Sequence, residues 1–149
     1  MQTNECYIYF SMRVHLKNIK NNFSEEQVIT IKNFIEYLQR ELPLKDEINI
    51  NFTSRREPHM TTGLRMPPHE LFVLSKNRMV IDVLRTLSHE WAHEFQHQKL
   101  GLKNDEKTPN IGGPVEDFAN VVSGIMVKSF EKNNEGSKKV LYNEQVIQK

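Results

Sequence analysis

The feature that most constrains the fold is a long amphipathic run, residues 78–100, that contains three of the six histidines in the chain. Apolar residues recur there at helical spacing, which predicts one continuous helix that Gly101 ends. The predicted apolar stripe consists of Val80, Leu84, Leu87, Trp91 and Phe95. His89 and His93 lie one turn apart and outside this stripe. We therefore expect the stripe to pack in the core and the two histidines to lie on a different face of the helix, outside the core.

The spacing of these two histidines indicates a metal site. Positions i and i+4 bring two imidazoles to one helix face, where they can share an ion, and for neutral nitrogen ligands that ion is most often Zn²⁺. The string His89-Glu90-Trp91-Ala92-His93 has the H-E-x-x-H pattern, in which the glutamate acts as general base on metal-bound water. The single cysteine, Cys6, excludes a thiolate-built zinc finger.

A zinc ion held by two histidines needs a third protein ligand and keeps one position open. A metzincin-type third histidine would stand at position 99, where this chain has Lys99. His97 continues the helical series, but it lies farther along a straight helix, so we expect it in the cleft or in solvent. Glu116 on the next predicted helix is the better candidate, and Asp117 is its competitor.

That next helix is predicted over residues 114–130, because Pro114 suits a first helical turn. Its predicted packing stripe consists of Val115, Phe118, Val122 and Ile125. Glu116 and Asn120 share a flank, which places Asn120 to hydrogen-bond a ligating histidine and fix its tautomer. Three further side chains are unranked candidates for the cleft or for transition-state stabilisation, namely His97, Arg85 and Tyr142.

The other patterned segments predict an α+β domain. Alternating apolar and polar residues predict strands over residues 6–16, 48–52 and 69–75, with an irregular stretch between the last two. Ser24 and Gln27 form a capping-box signal for a helix that ends at Leu42, before Pro43. Residues 140–147 are compatible with either a short strand or a helix. The edge of the strand at residues 70–75 is a candidate binding place for an extended substrate.

Length and charge limit the class of protein. A chain of 149 residues predicts one domain, residues 1–149. Lysine plus arginine number 20 and the acids 19, so the net charge creates no overall electrostatic field that would attract nucleic acid or an anionic membrane. Arg55 and Arg56 are the residues that support binding of nucleic acid as an alternative function.

The chain begins without a signal-peptide pattern and contains no long apolar run, so we expect a cytoplasmic protein without a membrane partner. The sequence leaves the oligomeric state open.

Two motifs together resemble a known family. His89-Glu90-Trp91-Ala92-His93, followed by Glu116-Asp117-Phe118-Ala119-Asn120, is similar to the gluzincin metallopeptidases. Over about residues 70–130 the chain looks most like the compact ImmA/IrrE-like proteases of phages, mobile elements and bacteria. The resemblance implies a minimal zincin-like fold, with a small mixed sheet packed on the motif helix. It also implies one zinc ion bound by His89, His93 and Glu116, with Glu90 as base, and hydrolysis of peptide bonds in a protein or peptide substrate.

One rival hypothesis is a different enzyme, and a second comes from another class of protein. Peptide deformylase also uses H-E-x-x-H, but it takes its third ligand from a cysteine in a motif context that Cys6 lacks. A metallopeptidase-like domain that keeps zinc and serves as a non-catalytic binding or structural protein, such as a phage component, is the second. The presence of Glu90 argues against it, because a structural zinc site needs no base.

Overall fold

A computed structural model describes residues 3–58, 60–100, 114–134, 136 and 138–142. Its centre is a mixed five-stranded sheet in the order β1-β2-β3-β5-β4. The strands are β1 (Asn4–Tyr9), β2 (Met12–Lys17), β3 (Ile48–Thr53), β4 (Gly63–Met66) and β5 (Glu70–Leu74). The helices are α1 (Ile19–Asn22), α2 (Glu25–Glu41), α3 (Val80–Leu100), α4 (Pro114–Asn133) and α5 (Lys138–Leu141). The predicted α+β class is confirmed.

The N-terminal strand prediction was wrong in one respect, because residues 6–16 form a hairpin rather than one strand. β1 and β2 pair antiparallel around Phe10 and Ser11, whose φ values are 51° and 68°. Residues with positive φ at both central positions make the tight turns that suit hairpins, and glycine or asparagine normally marks them. Neither residue type is present here, and the alternation of apolar and polar residues continues through the turn. The sequence pattern therefore gives no sign of a turn.

One face of the sheet forms the core. Alternate residues of β2, β3 and β5 are buried there, and α2 and α3 supply the opposing apolar residues. The Ser24 capping box at the start of α2 is confirmed, with both reciprocal hydrogen bonds present. Trp91, fully buried, donates from Nε1 to the carbonyl of Leu42 at 2.9 Å. This hydrogen bond connects the middle of α3 to the end of α2 and so fixes the two helices relative to each other.

The edge strand next to α3 is β4, in a stretch that the sequence pattern predicts to be irregular. β5 pairs with β3 on one side and with β4 on the other, so both of its edges are occupied. The suggestion that residues 70–75 offer an edge to a substrate was therefore wrong. β4 has only four residues and alternates a glycine and a charged residue on its inner face. A pattern so short and polar carries little strand signal.

The buried face of α4 also differs from the predicted stripe. Ala119, Ser123 and Met126 are buried, together with Val127 and Phe130, whereas Ile125 is 57% exposed. Phe118 and Val122 are half-buried, and the side chain of Val115 lies outside the described part of the structure. Residue 101 and residues 143–147, for which a helix stop and a possible element were predicted, are also outside it. Within the described residues, no helix is both long and apolar enough to cross a bilayer.

Candidate metal centre

The middle of α3 brings His89 and His93 together. Their Nε2 atoms are 3.2 Å apart, and the two rings meet edge to face. On the opposite side of the helix, Leu87 and Trp91 are fully buried in the core. The packing of this stripe fixes the rotation of α3 and leaves the two imidazoles facing α4. The apolar stripe predicted for this helix is confirmed for Val80, Leu84, Leu87 and Trp91, and Phe95 is partly buried against the same core.

Glu116, in the first turn of α4, is the third member of this group of side chains. Its Oε1 lies 2.6 Å from His89 Nε2, and its Oε2 lies 3.1 Å from His93 Nε2. The three ligand atoms all lie within 4.8 Å of one another. The competing candidate, Asp117, is exposed and outside this group. The structure therefore contains a group of three side chains, contributed by two helices, that could hold one metal ion.

The spacing of the two imidazole nitrogens fits a tetrahedral ion. Ligands at zinc-like bond lengths of about 2.1 Å stand about 3.4 Å apart around a tetrahedral centre. The two Nε2 atoms are 3.2 Å apart, and each contacts a different oxygen of the Glu116 carboxylate, at 2.6 Å from His89 and 3.1 Å from His93. His93 Nδ1 lies 3.1 Å from Gln96 Oε1, and the neutral tautomer that donates from Nδ1 to this oxygen keeps the lone pair of Nε2. Lone pairs of nitrogen and carboxylate oxygen that converge in this way repel one another unless a cation or proton lies between them.

The electrostatics of His93 also favour a neutral ligand. Burial lowers the pKa of His93, and the neighbouring His89 lowers it further, against the opposing effect of Glu116. A neutral imidazole is the form that binds a metal. Gln96, which orients this ring, was not identified from the sequence, although its position three residues after His93 on the same helix was available as a signal.

Glu90 lies beside the group and is almost completely buried, at 4% exposure. Burial raises the pKa of Glu90 to about 8, and repulsion from Glu116 adds to the increase, whereas Arg65 opposes it. A carboxyl group with such a pKa, in a site that also holds a possible cation, is a candidate proton carrier at neutral pH.

The backbone of β4 covers Glu90 at Gly63. A β-carbon at this position would lie 2.6 Å from Thr86 Cγ2 and 2.9 Å from Glu90 Oε2. Such distances are too short for non-bonded atoms, so β4 approaches α3 this closely only because residue 63 has no side chain.

We expect Gly63→Ala to move either Glu90 or β4 and to destabilise the protein by about 1 to 3 kcal/mol, as overpacking typically does. Urea unfolding would measure this loss. Gly124→Ala in α4 is the matched control, because nothing lies within 4 Å of its added β-carbon, and alanine favours a helix by up to about 1 kcal/mol over glycine. Equal stability of the Gly63→Ala variant and the wild type would contradict the predicted clash.

A buried polar cluster lies one turn farther along α3. Glu94 is fully buried and accepts a hydrogen bond from Arg65 Nε at 2.6 Å. His69 Nδ1 lies 2.8 Å from the other carboxylate oxygen, and Gln98 donates to that same oxygen. Arg65 follows Gly63 by two positions and so lies on the same face of β4. The cluster connects β4 and the start of β5 to the helix that carries both histidines.

An open cleft of about 320 Å³ leads to the three-residue group. Arg85, Asn120 and Glu90 line it, with Thr61, Thr62, Thr86, Ser123, His89 and Glu116. Of the other predicted cleft residues, His97 is half-buried farther along α3 and does not belong to the lining. Tyr142 is exposed, and its hydroxyl donates to Glu131 at 2.7 Å. The structure thus brings Arg85 and Asn120 into the cleft and leaves His97 and Tyr142 outside its lining.

The chain was compared with protein-family models, with curated proteins and with solved structures, and none of the three comparisons found a match. The function proposed below is therefore inferred from the residues of this site.

Proposed function

We propose that this protein is a zinc-dependent metallopeptidase that hydrolyses peptide bonds of a protein or peptide substrate, in the manner of the compact ImmA/IrrE-like gluzincins that its motifs resemble. One observation carries the proposal. His89, His93 and Glu116 converge from two helices within 4.8 Å, directly beside a buried glutamate that follows the first histidine in sequence.

In this proposal His89, His93 and Glu116 would hold one zinc ion. When bound, the ion would supply a Lewis acid for the scissile carbonyl and for the attacking water, whose pKa it would lower toward ~7. Glu90 takes a proton from the attacking water and passes it to the leaving amine. Its burial supports this role, because a buried carboxylate exchanges protons without competition from bulk solvent. Asn120, which lines the cleft one turn after Glu116, is proposed to orient a ligand or the substrate.

Metal analysis of the purified protein tests the ligand assignment. We expect one zinc per chain in the wild type. The variants His89→Ala and Glu116→Ala should lose zinc affinity by more than the roughly 10- to 100-fold that is typical of residues outside the ligand set. Asp117→Ala and His97→Ala are the matched controls and should keep zinc.

Zinc retained by Glu116→Ala but lost from Asp117→Ala would contradict the proposed site. Hydrolysis of a fluorogenic peptide library by the zinc-loaded wild type then distinguishes a peptidase from a domain that keeps zinc only for binding or structure. An absence of cleavage by a zinc-loaded, folded protein would favour that second kind of protein.

A further inference from the structure

The lining of the cleft is polar throughout its described part. Apart from the ligand group and Glu90, it consists of three threonines, one serine, Asn120 and Arg85. Neither an aliphatic nor an aromatic side chain belongs to it. Pockets for apolar substrate side chains are lined mainly by apolar residues, and no such residue belongs to this described lining. We therefore expect hydrogen bonds and charge to supply most of the selectivity of the cleft.

Arg85 is the only cationic side chain in this described lining. It lies one turn before His89 on α3, and the series Arg85, His89, His93 at four-residue spacing follows a single helix face. The two acidic residues of the same lining have other roles in the site. Glu116 contacts both histidines, and Glu90 is buried beneath them. Arg85 is therefore the group in the cleft that is available to attract a negative charge from solution.

The guanidinium of Arg85 makes one ion pair and keeps other N–H groups accessible to solvent. Its Nη1 lies 3.1 Å from Asp82 Oδ1, one turn earlier on the same helix, and its side chain is 56% exposed. This single contact leaves other N–H groups of the five that a guanidinium carries to bind an anion. Because Arg85 precedes His89 by one helical turn, its position suits contact with a bound substrate at a distance from the reacting bond.

We propose that Arg85 binds a carboxylate group of the substrate, close to the bond that is cleaved. The proposal rests on the peptidase function proposed above and adds a substrate class to it. Arg85 and His89 are about 6 Å apart along the helix axis, and an extended peptide advances about 3.3 Å per residue. The carboxylate therefore belongs to a residue within about three positions of the scissile bond. It is either an aspartate or glutamate side chain or the C-terminus of the substrate.

Binding of matched peptides tests this without requiring turnover. The zinc-loaded Glu90→Gln variant would be titrated with fluorescent peptides that differ only in glutamate against glutamine, and in a free against an amidated C-terminus. We expect the carboxylate form to bind about tenfold more tightly, which is the effect of one charge-assisted hydrogen-bonded pair of about 1.4 kcal/mol. The two peptide series show whether the side chain or the C-terminus supplies the carboxylate.

Arg85→Gln in the same background should abolish the preference, and Arg40→Gln should preserve it, because Arg40 lies on α2 and lines a different groove. The preference should also weaken with added salt, because the Arg85 side chain is more than half exposed. Equal or undetectable binding of both peptide forms, or a preference that survives Arg85→Gln, would overturn the proposal.

The same peptides separate this proposal from the peptidase function. If the zinc-loaded wild type cleaves acidic and amide peptides at equal rates, the peptidase function stands and the role of Arg85 is wrong. If it cleaves neither but the Arg85-dependent binding preference is present, the peptidase function fails and the carboxylate site stands.

Discussion

The Glu90→Gln variant is expected to keep one zinc ion and to lose peptide hydrolysis by a factor of about 10² to 10⁴, the usual contribution of a general base. Glutamine has nearly the same shape as glutamate, so the packing against Gly63 is preserved, but the amide cannot accept the proton of the attacking water. Metal analysis and the rate on any peptide that the wild type cleaves would measure the two effects. Equal turnover by the variant would rule out Glu90 as the base.

A second readout for this variant does not need a substrate. In the metal-free protein, burial raises the pKa of Glu90 to about 8, from an ordinary value of 4.5. Because the folded-state pKa is the higher one, the unfolded chain releases this proton first, and the stabilising contribution, complete below pH 4.5, is lost as pH rises through 8.

The free energy of unfolding of metal-free wild type, relative to that of the glutamine variant, should therefore fall between about pH 4.5 and 8. Urea unfolding across this range gives the difference. A constant difference between the two proteins would show that Glu90 titrates as an exposed carboxylate does.

The largest loss of stability is expected for Arg65→Met. The side chains of Arg65 and Glu94 are 4% and 0% exposed, and their ion pair is 2.6 Å long. Removing the guanidinium leaves the Glu94 carboxylate buried, with only His69 and Gln98 as partners. Breaking a buried pair from one side typically costs about 3 to 5 kcal/mol, because the remaining charge has lost its compensation. Urea or thermal unfolding would measure the loss.

Two variants distinguish this cause from a general loss of packing. The double variant Arg65→Met/Glu94→Met removes both charges, and we expect it to be more stable than the single variant, because no buried charge remains. Lys20→Met breaks an ion pair to Glu5 at 3.2 Å, in which the lysine side chain is 58% exposed, and should cost no more than about 1 kcal/mol. A single Arg65→Met variant as stable as Lys20→Met would contradict the predicted role of the cluster.

The three side chains of the candidate metal group were predictable from the sequence because the relevant information is periodic. Four-residue spacing puts His89 and His93 on one helix face whatever the rest of the fold does. The apolar stripe with Trp91 then determines which face is turned to the core. The pairing with Glu116 required one further assumption, that the next helix packs beside the first, and the structure confirms this packing of α4 on α3.

The residues that cover Glu90 were not predictable in this way. β4 is too short to show a period, and its inner face combines Gly63 with Arg65, which no strand pattern favours. Arg65 and Glu94 are 29 residues apart in the chain, so nothing local to either residue identifies the other as a partner. The hairpin turn at Phe10 and Ser11 escaped prediction because its residues do not mark a turn.

The sequence by itself determined the three long helices, the class of the fold and the three side chains that converge, because helical periodicity and capping act within a few residues of the chain. Only the tertiary structure decided that β4 forms the edge beside α3, that Gln96 orients His93 and that Arg85 stands in the cleft. Those features depend on burial, and burial is a property of all the elements packed together. The raised pKa of Glu90 has the same origin, since the neighbours that exclude water from it lie on α4 and β4 as well as on its own helix.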